Sequence, residues 1–380
     1  MNVNLLFKRP FYTDVVLLYK EREDLLKKYV FGPISNQTID VGKTLSLHPS
    51  VLLKTFKLIA KINFSWSLKV YIKQVYEAHL QALIETIAPK FVVTFIDDSG
   101  LFHRLSRKHK DIIYVAIQNG MRPKSHFDYL ISEKLKSDIL FSNAYYFCHG
   151  QSDVSLFKRY GYNIDKFFPV GSFVGGVYWN EVGKNIKPKY DICLVSCWVS
   201  DEVSNKSKDE LSLFKIDKAG NKALEDNLKK IIMEKKYSVI VALKYENSEK
   251  EFNHFYNIFG DNVTYQHSSR KQFSTYEAID QSRLAITLYS TCVAEAIGIG
   301  KRGLFSNGSG SDSIGIPSAG ICYYEGDNYF EFKEKIAMLL NMSEKDFSDE
   351  ISKDAKNLMN YDLNDLTHEK IYNFLLDRLN

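Results

Sequence analysis

The chain has 380 residues, a formal net charge of +4 and 45% apolar residues, the profile of a globular protein with core enough for two domains. That modest charge, with no Lys/Arg-rich tail and no zinc-finger spacing, gives no indication of a nucleic-acid partner. The opening MNVNLLFKRPFYTD has only three consecutive apolar residues before a basic pair, and no run of eighteen apolar residues exists, so neither a secretory signal nor a membrane span is expected.

In chain order, residues 50–88 read as helical. Lys54, Lys57, Lys61, Lys69 and Lys73 recur at helical spacings, interleaved with Phe56, Phe64, Trp66 and Tyr71. Such a surface is either a solvated lysine face over a packed core or a contact for anionic lipid or an anionic acceptor. The pattern then changes. KFVVTFIDDSG, HKDIIYVAIQNGMR and SDILFSNAYYFCHG are apolar strands that end in polar residues, and KFFPVGSF is a shorter one. NEVGKNIKPKY, with Gly183 and Pro188, reads as a linker near 180–190. The alternation restarts with YDICLVSCW, a polar loop near 199–210, the helix NKALEDNLKKIIMEKK and the strand YSVIVALKY. A helix EKEFNHFYNIFG, a short strand NVTYQHS, a short helix STYEAIDQS, the strand LAITLYS and the helix TCVAEAIGIG follow. RGLFSN and GICYYEG come next, then a helix over about 328–340 and two helical pieces in 347–379. Short buried strands alternating with helices predict an α/β fold of two doubly wound, Rossmann-like halves facing a cleft, closed by a helical tail.

Ligands of open α/β sheets bind beyond the carboxyl ends of the strands, so the polar strand ends carry the candidate chemistry. Ser290 or Thr291 can cap the helix after LAITLYS, whose first-turn N–H groups and dipole suit a phosphate, while Glu295 one turn later suits ribose hydroxyls. Ordinary capping explains the same residues. His267 and Arg270 in QHSSRKQ, and Lys244 after VIVAL, are candidate phosphate partners. Ser196 ends the first strand of the second half, with Asp201 beyond it as a secondary catalytic candidate. In the first half Asp97 and Asp98 are candidate catalytic carboxylates, although neighbours on a strand point apart and one would cap the next helix. Gln118, Asn119 and Arg122 are candidate acceptor-binding groups. NGSGSDSIG lacks the ending of a phosphate-binding P-loop, and GIGKRG is not a dinucleotide fingerprint, which disfavours a nicotinamide enzyme. The five cysteines, Cys148, Cys193, Cys197, Cys292 and Cys322, form no CxxC and are expected to be reduced thiols in a cytoplasmic protein without a metal site.

The segment YQHSSRKQFSTYEAIDQSRLAITLYSTCVAEAIGIGKRGLF resembles glycosyltransferases of the two-Rossmann-domain (GT-B) class, through Tyr276, Ile279, Ser282, Ser290, Thr291 and Glu295. VVTFIDDSGLFHRLSRK and YVAIQNGMR are similar to strands of bacterial surface-carbohydrate transferases, including the retaining β-Kdo transferases. That resemblance implies an acceptor domain at 1–183, a nucleotide-sugar domain at 184–346 and helices from 347–380 returning to the first domain. It implies transfer of a sugar, Kdo from CMP-Kdo being one case, to a hydroxyl of a lipopolysaccharide, capsule or other surface glycan. No cofactor or metal is implied beyond the nucleotide sugar itself; the location would be cytoplasmic, at the inner face of the membrane. The segment 199–221 is expected to be a lid over the donor or a plain insertion. Two other readings stand beside it. One is a CDP-alcohol phosphotransferase of teichoic-acid type, and the other a non-catalytic glycan- or nucleotide-binding protein; an epimerase of UDP-sugars is a further rival.

Overall fold

The computed structural model describes residues 4–62, 67–125, 127, 142–162, 166–183, 186–200, 208–269, 273–362 and 364–379. The N-terminal lobe holds β1 (Asn4–Leu6), β2 (Val15–Leu18), α1 (Glu23–Leu26), β3 (Asn36–Ile39), β4 (Thr44–Ser46), α2 (Pro49–Ile59), α3 (Leu68–Ile87), β5 (Phe91–Thr94) and α4 (Gly100–Lys108). It continues with β6 (Ile113–Ile117), β7 (Tyr145–Cys148), α5 (Gln151–Arg159), β8 (Phe167–Pro169) and α6 (Phe173–Val177). The C-terminal lobe holds β9 (Tyr190–Val195), α7 (Lys208–Met233), β10 (Val239–Ala242), α8 (Glu249–Phe259), β11 (Thr264–Gln266), α9 (Ser274–Asp280) and β12 (Ser282–Thr287). After it come α10 (Thr291–Gly298), β13 (Gly303–Asn307), β14 (Tyr323–Glu325), α11 (Tyr329–Asn341), α12 (Glu344–Leu358) and α13 (Thr367–Leu379).

Each lobe is built on one parallel sheet, ordered β3-β2-β5-β6-β7-β8 in the first and β11-β10-β9-β12-β13-β14 in the second. Helices cover both faces, so the central strands carry no polar side: β2, β5 and β10 are buried at every residue. One face of the first sheet packs on α2 and α3 through Val51, Leu80, Leu83 and Ile84. The other packs on α13, whose Ile371, Phe374 and Leu375 share a core with Val15, Leu17, Phe91 and Val93. The chain therefore crosses between lobes twice, at 183–189 and again at 359–366. At the second crossing Asn360 donates to the His149 carbonyl at 2.8 Å and Thr367 to the Val170 carbonyl at 2.6 Å. At the first, the Tyr178 hydroxyl and Trp179 indole both donate to Asp280, at 2.8 and 3.1 Å.

Several sequence expectations are corrected. The helical stretch 50–88 is two helices, α2 and α3, and Phe64 and Trp66 lie outside the described residues. The polar segment 199–221 is not one loop: from Lys208 it is the first half of α7, where Gly220 lets the helix approach Leu288. The strands β2, β3 and β4 went unread, because VVLL is only four residues long and NQTI is polar. All five cysteines are free thiols.

Candidate active site

The carboxyl edges of the two sheets face each other, and the lobes touch across the gap. The Thr291 hydroxyl accepts the Met121 N–H at 2.9 Å, and two chambers lie along the cleft. The smaller, of about 160 Å³, is lined by Ser196, Lys244, Ser268, Ser290 and Cys292 from the C-terminal lobe and by Arg22 from the other. The larger, of about 560 Å³, is lined by Arg122, Lys124, Asp153 and Arg159 on one side and Asp312, Gly315 and Ser318 on the other.

The smaller chamber is organised by a buried carboxylate. Glu251 of α8 accepts the Ser196 hydroxyl at 2.5 Å and the Lys244 and Tyr245 N–H groups at 2.8 and 2.9 Å. It ties the ends of β9 and β10 together and turns Lys244 outward. Ser290 is the N-cap residue of α10, yet its side chain makes no capping hydrogen bond. Of the first turn, the Val293 N–H donates to the Ser290 carbonyl at 3.2 Å, while Ser290 and Cys292 line the chamber. Arg22 follows β2, and it and Phe273, also on the chamber wall, hold left-handed backbone with φ of 57° and 54°. Non-glycine residues adopt that conformation at some cost, and such positions cluster at ligand sites. Two cations, several hydroxyls and a helix N-terminus around one small space make a candidate anion site.

Several expected roles fail on burial. Asp97 is 1% exposed and accepts from Arg122 at 2.7 Å, from the Asn119 N–H at 3.0 Å and from the Tyr146 hydroxyl. A carboxylate so occupied is a structural ion-pair partner and cannot take a proton from an acceptor. Asp98 is exposed, 3.9 Å from Arg122, but lines neither chamber. Gln118 is buried and spends its amide on the Gly120 carbonyl and the His149 N–H, at 2.9 and 3.2 Å. Asn119 accepts from Arg122 at 3.0 Å. These amides shape the β6 turn and do not present themselves to an acceptor; Arg122 alone of the three reaches the larger chamber. His267 stacks on Phe252 with ring centres 5.6 Å apart and does not line the chamber. Asp201 and Arg270 lie outside the described residues.

Glu295 differs most from expectation. It is 2% exposed, and its Oε2 has no hydrogen-bond partner. It lies against Gly175 of the other lobe, where any Cβ would stand 2.9 Å from its carboxyl carbon. Burial raises its pKa to about 7, against the pull of the Ser172 and Tyr276 hydroxyls and the Arg22 charge. In this arrangement it is an inter-lobe contact and not an open hook for ribose.

The structure brings Ser196, Lys244 and Ser290, which follow apolar runs, onto the smaller chamber together with Arg22, while Arg22, Glu251 and Asp153 were not among the sequence candidates. Asp153, on the wall of the larger chamber, has its pKa raised to about 6 by burial, with Gln118 and the Gly150 N–H lowering it. Its neighbour His149, 4.0 Å away, is buried with neither ring nitrogen bonded, and burial with Arg122 pushes it down to about 3. The aspartate four residues after a strand-ending histidine was the available signal. A third cavity, of about 1080 Å³, opens behind the C-terminal lobe beside Arg283, Lys301 and Arg302. Arg283 pairs with Asp191 at 3.0 Å and Lys301 with Asp280 at 2.9 Å. Among the described residues no cluster could hold a metal ion.

Two Rossmann-like lobes facing across a cleft define the GT-B class of folds. The same architecture occurs in the S. aureus MnaA–UDP structure (TM-score 0.60, 13% identity, 96% of each chain). It occurs too in the Methanocaldococcus jannaschii UDP-GlcNAc 2-epimerase with UDP-GlcNAc and UDP (0.54, 14%, 96% of this chain and 99% of that one). A glycosyltransferase from Rickettsia africae matches as well (0.50, 13%, 97% and 99%). At these identities the likeness is one of fold. Residues 115–376 match the family described as "putative O-antigen biosynthesis protein", and the chain belongs to that family. No curated protein matches it in sequence.

Proposed function

We propose that this chain is a sugar-nucleotide enzyme of bacterial surface-glycan synthesis that transfers a glycosyl group to an acceptor hydroxyl. The observation that carries the reading is the anion chamber of Arg22, Ser196, Lys244 and Ser290 at the carboxyl edge of the donor-side sheet. There Lys244 and Arg22 offset the charge that develops on the leaving phosphate, and the N–H groups of α10 bind its oxygens. The larger chamber takes the acceptor. Asp153, ionised above about pH 6, receives the hydroxyl proton as the new glycosidic bond forms and the bond to phosphate breaks. Contact of the lobes through Thr291 and Met121 keeps water from the activated sugar. The donor is a UDP-sugar, a reading supported by two structures that share the fold, one holding UDP and the other UDP-GlcNAc and UDP; CMP-Kdo is the donor implied by the transferase resemblance.

A second reading, epimerisation of a UDP-sugar, has in its favour that a UDP-GlcNAc 2-epimerase holding UDP-GlcNAc and UDP shares the fold. One experiment separates the two. Thermal-shift and mass-spectrometric screens with UDP-, GDP- and CMP-sugars should show nucleotide-dependent stabilisation that Lys244→Ala weakens about tenfold or more. Asp153→Asn should retain donor binding and lose turnover. Donor loss with an altered sugar still on its nucleotide identifies the epimerase, and no stabilisation by any sugar nucleotide refutes both.

A further inference from the structure

We infer that α2 and the first turns of α3 dock on an anionic lipid bilayer and so bring the cleft to acceptors anchored there. The nature of the cargo rests on the transferase reading; the docking does not.

Three observations converge. First, large apolar side chains stand in solvent on both helices: Leu53 (59% exposed), Phe56 (67%), Leu68 (67%), Val70 (45%) and Ile72 (58%). Single exposed leucines need no explanation, but Leu53 and Phe56 share one stripe of α2 and Leu68 and Ile72 one stripe of α3, and two such stripes on paired helices make a patch. Leu53, Phe56 and Lys57 fall at i, i+3 and i+4, one stripe of α2, turned away from the buried Val51 and Thr55. Second, the charge is of one sign. From Val41 to Tyr76 the sequence has six lysines and no acidic residue. Lys57, Lys61, Lys69 and Lys73 are exposed around the patch. An apolar patch ringed by lysines fits a surface that is greasy within and anionic at its rim, which describes a bilayer with acidic headgroups.

Third, the patch lies on the side where the substrates enter. α3 runs into β5 through a three-residue connection, so its C-terminal end stands at the start of that strand. Its buried residues begin at Glu77. Twenty helical residues span about 30 Å. Four strand residues span about 13 Å. The first turns of α3 therefore overhang the carboxyl edge of the sheet, the same edge that bears both chambers. No helix among the described residues is long and apolar enough to cross a membrane, so the contact is peripheral.

The test is co-sedimentation of the full chain with phosphatidylglycerol-containing and pure phosphatidylcholine vesicles. Binding to the anionic vesicles should be at least about tenfold tighter. It should weaken roughly fivefold for each of Lys57→Gln and Lys73→Gln, the usual contribution of one basic residue near such a surface. Phe56→Glu combined with Ile72→Glu should abolish it with an unchanged melting temperature. Equal recovery with both vesicle types, or normal binding by the double variant, overturns the proposal. So does a lipid-free dimer that the double variant converts to monomer, which would assign the patch to a second copy of the chain. Release of nucleotide from a soluble donor is followed on the same samples. Vesicle binding without nucleotide release supports the docking while removing the transferase reading; release without vesicle binding removes the docking alone.

Discussion

Glu295 is a carboxyl group held between two lobes in a nearly dry place. In the unfolded chain it ionises near 4.5, whereas burial keeps it protonated to about pH 7 in the native state. The native state therefore binds the extra proton between those values, and stability falls as pH rises through that window. The loss is roughly 3 kcal/mol in all. Glu295→Gln should remove this dependence: relative to it, the wild type should lose that amount between pH 5 and 8 in urea melts. Parallel stability curves would mean the carboxyl is solvated. Because Ser172 and Gly175 on the other lobe face this group, its ionisation also favours separation of the lobes.

At the scale of elements, the docking of α12 onto α5 depends on Gly150. A Cβ there would lie 2.1 Å from the Asn357 carbonyl oxygen and 2.7 Å from the Leu358 carbonyl carbon, both main-chain atoms that cannot swing aside. Gly150→Ala should cost about 1–3 kcal/mol, read as a lowered urea midpoint, and should loosen the Ser152–Asn357 hydrogen bond beside it. An unchanged midpoint would show that α12 is free to shift. Elements of this kind were largely legible in the sequence. Runs such as VIVAL and RLAIT declare themselves as buried strands, and the polar residue that follows each one is then a site candidate by topology alone. That logic picked out Ser196, Lys244 and Ser290, which line the smaller chamber. It could not find Arg22, because β2 is a four-residue run and because which loop reaches across the cleft is decided by how two sheets face each other. It misjudged Asp97 and Gln118 for a related reason. A polar residue at a strand end can serve the turn as readily as a ligand, and only the partners show which: Arg122 for Asp97 and the Gly120 carbonyl for Gln118.

For the whole molecule, the question is whether the lobes unfold apart. α13 belongs by sequence to the C-terminal end but fills the core of the first lobe, where Phe374 meets Tyr145 and Phe147 with ring centres 5.0 and 5.2 Å apart. Phe374→Ala should therefore cost about 3–5 kcal/mol. Calorimetry should show the first lobe's transition falling, or a single shared transition moving as one. A drop confined to the C-terminal lobe would contradict the packing.

The double passage of the chain between lobes has a mechanical consequence. A body joined to another by one flexible tether can tumble; joined at two separate points, it can only swing about the line through them. Opening of this molecule is thereby reduced to a single rotation, like a door on a pair of pins. Whatever enters the cleft must do so on the side farthest from that line, and it must leave by the same side.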